Sequence, residues 1–229
     1  MTRSVIARIA GATLLLYRPS GVAAFLLYEG SLGRGTAAER VAAVAAHASD
    51  LRMACVLTLA NALCALILAV AMYFYTRDGG SELATLGLIG RTVETALYAG
   101  FAICLVALIS IATSSTDASV AIDGRLVREI GLSAHRVSMA AGFFFAAAHV
   151  AFMWLLLRAR LAPRFLALIG LVAALVPLVG VPLQMIGATR GFFTPLLWLT
   201  MFLFELLFAI WLLATGGRDA EHRSAARAL

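Results

Sequence analysis

Residues 83–112 read LATLGLIGRTVETALYAGFAICLVALISIA, and Arg91 and Glu94 are the only charged side chains among them. A stretch of about 20 predominantly apolar residues is long enough for a helix to cross a bilayer. Charge inside such a helix is costly and is rarely left there without a partner or a task. The stretch therefore predicts a transmembrane helix and marks a place to look for chemistry.

Five further apolar runs accompany this one, at about 6–28, 51–75, 134–157, 165–186 and 192–214. The chain is 62% hydrophobic and 13% charged, whereas ordinary globular domains carry about 25% charged residues. None of the runs shows the strict alternation of a barrel strand. We predict an all-α polytopic membrane protein, a bundle of six transmembrane helices in one domain over residues 1–216, followed by a charged tail at 217–229.

The segments between the runs carry weaker signals. Thr36-x-x-Glu39 fits a capping box and predicts a helix that either stands alone or runs straight into the second span. The polar stretch 113–132 predicts a loop with one short helical turn around 126–130. Pro177 and Pro182 predict a bend in the fifth span.

The charge of the chain comes from arginine alone: all 18 basic residues are arginine, and the net charge is +6. They form no basic run with interleaved aromatic residues, so we expect contact with membrane lipids and no nucleic acid. Nine arginines flank the spans on the side of the termini and seven on the other side. This bias predicts that both termini lie in the cytoplasm. The oligomeric state is left open.

Two more ionisable side chains lie inside spans: His149 in the fourth and Glu205 in the sixth. At a rise of 1.5 Å per residue, Glu94, His149 and Glu205 fall roughly 17–22 Å along their runs. This depth puts all three in the membrane half nearer the termini, and Arg91 is one turn from Glu94. We expect the four side chains to share one layer.

Other polar positions within the spans are weaker candidates. Arg18, Asn61 and Gln184 are kept as possible ligand contacts. Snorkelling to the interface is the simpler role for Arg18, an interhelical hydrogen bond for Asn61, and capping of the Pro182 break for Gln184. No metal is expected, because no HxxxH or ExxH spacing occurs, and no cofactor motif is present.

Three classes of function remain open for the polar layer. In the leading hypothesis, Arg91 binds the anionic group of a small amphiphilic or lipid-like ligand, and the other three residues make proton-linked contacts. In the second, the protein is an intramembrane enzyme such as a cyclase, isomerase or hydrolase. Glu94 or Glu205, kept protonated by burial, would be the acid, and His149 the base. In the third, an accessory subunit uses these charges only to hold its helices together.

Several motifs in fixed order resemble a bacterial family of multi-pass membrane proteins classed as a domain of unknown function, number 4386 of that series. They are Arg91-Thr-Val-Glu94, Ala148-His149, Leu155-Leu-Leu-Arg158, Ala162-Pro163-Arg164, Phe204-Glu205-Leu206 and Trp211-Leu-Leu213. The resemblance runs from the first span to Gly216, and it departs at Ala147 and Pro177, where the family tends to have glycine. It implies a helical bundle and marks Arg91, Glu94, His149 and Glu205 as family-pattern positions, but it supplies no activity.

Overall fold

The computed structural model describes residues 2–188 and 193–217, and helices account for most of them. The α-helices are α1 (Arg3–Ser31), α2 (Ala37–Ala46), α3 (Ala48–Thr76), α4 (Ser81–Ser114), α5 (Val120–Arg158), α6 (Arg164–Met185) and α7 (Phe193–Thr215). No strand occurs among the described residues. The predicted all-α class is confirmed.

Six of these helices, all except α2, are long and apolar enough to cross a membrane within the described part of the chain. Each coincides with one of the six apolar runs, so the predicted spans are confirmed and the chain is a multi-pass membrane protein. The division at 216/217 stays a prediction, since the charged tail lies outside the described residues from 218 onward.

The predicted loop over 113–132 is wrong, because α5 already begins at Val120. Polar side chains start the helix: the Ser119 hydroxyl donates to the Asp123 carboxylate at 2.6 Å, and the Thr116 N–H donates to Ser119 Oγ at 3.0 Å. Beyond them, Val127 and Gly131 are buried at helical spacing. The polar composition of this segment therefore describes the exposed face of a helix.

The capping box at α2 is confirmed. The Thr36 side chain accepts from the Glu39 N–H, and the Glu39 carboxylate accepts from the Thr36 N–H at 2.7 Å. The hydrogen bond from the Thr36 N–H, and to a lesser degree the contact of the carboxylate with the Thr36 hydroxyl, hold the pKa of Glu39 below its usual range. The helix does not run into α3, because His47 lies between them as a C-cap with non-helical backbone angles.

Packing divides the chain into two units, with boundaries inside α1, α3, α4 and α5. Unit 1 comprises Met1–Leu16, Cys64–Thr95 and Ala140–Leu229. In it, α6 packs on α7. A Cβ on Gly11 of α1 would lie 2.9 Å from the backbone oxygen of Ala209 of α7, so these two helices also approach closely.

Unit 2 comprises Tyr17–Leu63 and Ala96–Met139. Its core joins apolar residues of α1 to α5, among them Tyr28, Val44, Leu51, Leu105 and Val127. The Tyr28 hydroxyl donates to the Gly131 carbonyl at 2.7 Å, which ties α1 to the polar half of α5.

Candidate functional site

The first part of the site lies on α4, where Arg91 and Glu94 share one helical face with Ala84 and Gly87. The positions recur at spacings of three and four residues, so they form one face of α4, and this face is buried within unit 1. Arg91 is 1% exposed and Glu94 is 0% exposed. The Arg91 Nη1 lies 2.9 Å from the Glu94 Oε2. The two side chains therefore form a buried ion pair within one helix.

The second part joins two helices. His149 of α5 is 5% exposed and Glu205 of α7 is 0% exposed. The His149 Nε2 lies 3.3 Å from the Glu205 Oε1. Glu205 belongs to the buried face of α7, with Met201 and Phe208 one turn away on either side. Burial of this face turns the carboxylate toward the imidazole instead of lipid.

Phe145 connects the two pairs. The Arg91 Cζ lies 5.1 Å from the centroid of its ring, within the range of a cation–π contact. The His149 ring lies against the same phenyl group, at a centroid distance of 4.5 Å. Phe145 precedes His149 by four residues, so both side chains leave α5 on one face. Phe145 thus links the Arg91–Glu94 pair to the His149–Glu205 pair; we call these four residues the polar quartet.

Glycines on α4 allow this approach of α4 to α5. A Cβ on Gly87 would lie 2.7 Å from Phe152 Cζ, and one on Gly90 would lie 3.1 Å from the Ala148 Cβ. Any larger residue at Gly87 would force the phenyl ring to move. Arg91 follows Gly90 directly, and His149 follows Ala148, so the close contact lies beside the quartet.

A small cavity of about 10 Å³ adjoins the quartet. Arg91 and His149 contribute its polar lining; the other lining residues are apolar, namely Leu14, Leu68, Met72, Phe152, Met153 and Phe208. A cavity needs about 10–15 Å³ to hold one water molecule. The space in this conformation therefore corresponds to a single water between a guanidinium and an imidazole.

The charge balance of the quartet depends on one proton. Arg91 carries +1, and the carboxylates of Glu94 and Glu205 carry −1 each. A proton held between His149 and Glu205 brings the sum to zero. Because uncompensated charge is expensive in a membrane interior, the neutral arrangement is favoured. With Arg91 and both carboxylates ionised, neutrality of the quartet therefore requires one proton on the His149–Glu205 pair.

The other three predicted ligand contacts, Arg18, Asn61 and Gln184, are not part of the polar quartet. Arg18 and Asn61 belong to unit 2, and Gln184 lies in the last turn of α6 in unit 1. Arg18 is partly buried, with its Cζ 5.1 Å from the ring centroid of Tyr17. Asn61 is 2% exposed and faces α1, where a Cβ on Gly21 would lie 2.9 Å from its Oδ1. Their roles as ligand contacts stay predictions.

Phe145 is a part of the site that the sequence analysis did not identify. Its spacing of four from His149 was the available signal. Among the described residues, no group of three or more His, Cys, Asp or Glu side chains is arranged to hold a metal ion.

Comparison with known proteins yields one family. The family model described as "Domain of unknown function (DUF4386)" matches residues 9–216. No curated protein and no solved structure matches the chain. The matched region contains five of the six membrane-span helices, the first one from residue 9 onward, and the complete quartet. Since the match covers most of the chain, this protein belongs to the DUF4386 family, a family of unknown function.

Proposed function

We propose that this membrane protein binds or translocates a small amphiphilic or lipid-like anion at the polar quartet, together with a proton. The observation that carries the proposal is the lining of the cavity. Two nitrogen-bearing side chains, Arg91 and His149, adjoin six apolar ones. Such a lining is complementary to a molecule with one anionic end and one apolar body.

Entry of an anion has a defined electrostatic consequence. A new negative charge on Arg91 competes with the Glu94 carboxylate, which lies 2.9 Å from the guanidinium. If the anion displaces Glu94, one buried carboxylate is left uncompensated, and uptake of one proton by the quartet restores neutrality. Binding of the anion and uptake of a proton are therefore coupled.

The size of the cavity adds a conformational requirement. At about 10 Å³ it admits one water, whereas pockets for drug-sized ligands measure about 300–1,000 Å³. The ligand therefore enters a second conformation in which the helices around Arg91 have separated. The described conformation is the closed state of this cycle.

A second candidate rests on the His149–Glu205 pair. A carboxylate 3.3 Å from an imidazole orients the ring and stabilises its protonated form, as a general base requires. An intramembrane cyclase, isomerase or hydrolase acting on a lipophilic substrate would use His149 as base, and Glu94 or Glu205 as acid. An accessory subunit, by contrast, would need these contacts only for helix packing.

The test compares small molecules that copurify with three forms of the protein: the parent, Glu205→Gln and the control Glu82→Gln. Glu82 is an exposed carboxylate on α4. Organic extracts are analysed by mass spectrometry, and each variant is also tested for complementation of a deletion strain. We expect an anionic amphiphile in the parent and the control, and its loss with Glu205→Gln, which folds normally but fails to complement.

The outcomes separate the candidates. An amphiphile that accumulates in Glu205→Gln but appears chemically altered in the parent supports the enzyme. Identical extracts together with full complementation by Glu205→Gln would refute both and leave the role in helix packing.

We also propose that the protein lies in the bacterial inner membrane with both termini in the cytoplasm. The arginine-rich turn between α5 and α6, with Arg158, Arg160 and Arg164, supports this orientation. Reporter fusions after Gly217 and near Asp123 test it, and an extracytoplasmic signal from the Gly217 fusion would reverse the orientation.

A further inference from the structure

The turn between α5 and α6 concentrates positive charge. Arg158, Arg160 and Arg164 are all exposed, and residues 158–165 contain no acidic side chain. None of the three arginines forms an ion pair within residues 2–188 and 193–217. In contrast, exposed Arg128 of α5 lies 3.0 Å from its neighbour Glu129.

An acidic side chain on an adjoining element, Asp78, already pairs with other arginines. A Cβ on Gly79 would lie 2.6 Å from the Ala159 Cβ, so the short 3-10 turn Arg77–Gly79 packs directly against the arginine turn. This contact brings Asp78 into the neighbourhood. Its carboxylate is 2.7 Å from the Arg3 guanidinium and 3.9 Å from that of Arg77. The charge of the arginine turn is therefore not neutralised by Asp78.

Hydrogen bonds to neighbouring residues fix the backbone of the turn. Leu161 is 5% exposed, and its carbonyl accepts a hydrogen bond of 2.9 Å from the buried Tyr75 hydroxyl. Its N–H donates to the Leu156 carbonyl at 3.0 Å. Arg160 has a φ of +55°, in the left-handed region that residues other than glycine rarely adopt. The left-handed Arg160 and the bond from the Leu161 N–H to the Leu156 carbonyl together close the C-terminus of α5 and fix the backbone of the turn.

An apolar stripe continues from the turn along α6. Phe165, Ile169 and Val172 are 66%, 49% and 60% exposed, and their spacing puts them on one face. In a membrane-spanning helix this face contacts lipid. Three cations at the end of a span, directly above an exposed apolar stripe, match the charge pattern of a phospholipid: an anionic headgroup followed by an acyl chain.

We infer that the α5–α6 turn is a binding site for the headgroup phosphate of an anionic phospholipid, held by Arg158, Arg160 and Arg164, with an acyl chain along Phe165, Ile169 and Val172. This site is separate from the polar quartet and does not depend on the function proposed for it.

The experiment measures binding of short-chain phosphatidylglycerol, and of phosphatidylcholine with the same chains, to the purified full-length protein in neutral detergent by native mass spectrometry. The test variant replaces Arg158, Arg160 and Arg164 with glutamine. The control replaces Arg125, Arg128 and Arg136, three exposed arginines on the same helix α5, with glutamine. Both variants remove the same charge.

We expect the parent and the control to prefer phosphatidylglycerol, and the test variant to bind it about a hundredfold more weakly, given about fivefold per arginine at an anionic surface. Equal losses in the two triple variants, or no preference for phosphatidylglycerol in the parent, would overturn the site. Competition by inorganic phosphate at the same concentration as the lipid would also overturn it, because it would show a free-phosphate site. If the triple variant does not fold, the three single glutamine variants replace it, each expected to weaken binding about fivefold.

Discussion

Replacing Arg91 with methionine is expected to destabilise the protein by about 3–5 kcal/mol at pH 7, the cost of removing one partner from a buried ion pair. Methionine keeps most of the apolar volume of the arginine stem, so the loss reports mainly on charge. The variant leaves the Glu94 carboxylate without the guanidinium that lies 2.9 Å from it in the parent, and this carboxylate is 0% exposed. It also removes the cation–π contact with Phe145, 5.1 Å from the guanidinium carbon.

The loss of stability caused by Arg91→Met should become smaller as the pH falls. The stranded Glu94 can take up a proton at a cost of about 4 kcal/mol at pH 7, and this cost falls by about 1.4 kcal/mol per pH unit. At pH 5 the Arg91→Met variant should therefore be only about 1–2 kcal/mol less stable than the parent. The double variant Arg91→Met/Glu94→Gln leaves no stranded charge and should recover to within about 1–2 kcal/mol at both pH values.

The assay is reversible unfolding in mixed micelles, titrated with sodium dodecyl sulfate and followed by the fluorescence of the three tryptophans. The matched control is Arg128→Met, because Arg128 and Glu129 form a pair whose side chains are 59% and 60% exposed. That substitution should change the free energy of unfolding by less than about 1 kcal/mol. A pH-independent loss for Arg91→Met, or a double variant less stable than Arg91→Met, would refute the argument from a stranded carboxylate.

Four further substitutions test the packing and the capping of the helices. Gly87→Ala should cost about 1–3 kcal/mol, because the added methyl meets a phenyl ring at 2.7 Å; Gly30→Ala, with nothing within 4 Å, should be neutral or stabilising by up to about 1 kcal/mol. Tyr75→Phe should cost about 1–3 kcal/mol by leaving a buried carbonyl of the α5–α6 turn without its donor, as measured in the same unfolding assay. Thr36→Ala should cost about 1 kcal/mol through loss of the helix cap. The pKa of Glu39 is lowered in the folded protein. The Glu39 carboxylate therefore contributes to the free energy of unfolding above its unfolded pKa, and this contribution is lost as the pH falls through the lowered value. Thr36→Ala keeps the backbone N–H that is the main cause of this lowering and removes only the hydroxyl, so its effect should shrink slightly in acid, and an effect that grew there would contradict this role.

Hydrophobic length was sufficient to predict the six spans, because the bilayer demands about 20 apolar residues wherever a helix crosses it. The Arg91–Glu94 pair was also predictable, since a spacing of three residues puts both side chains on one helical face whatever the tertiary fold. The α2 cap was predictable for the same reason: its donors and acceptors lie within four residues of one another.

The beginning of α5 was not predictable from composition. Residues 113–132 are rich in serine, threonine and aspartate, residues that favour turns and caps. In the folded protein, Val127 and Gly131 pack into unit 2, and the Tyr28 hydroxyl binds the Gly131 carbonyl. Contacts with residues about 100 positions away in the chain thus stabilise a helix that local propensity does not specify.

The pairing of His149 with Glu205 required the tertiary structure as well. Their depths along the spans were calculable from helical rise, but the direction in which each side chain points depends on helix rotation. That rotation is set by interhelical packing, such as Gly87 against Phe152 and the buried face of α7 around Phe208. Without the orienting contacts of the neighbouring helices, a sequence of apolar residues leaves rotation about the helix axis nearly degenerate, since lipid solvates every apolar face equally well.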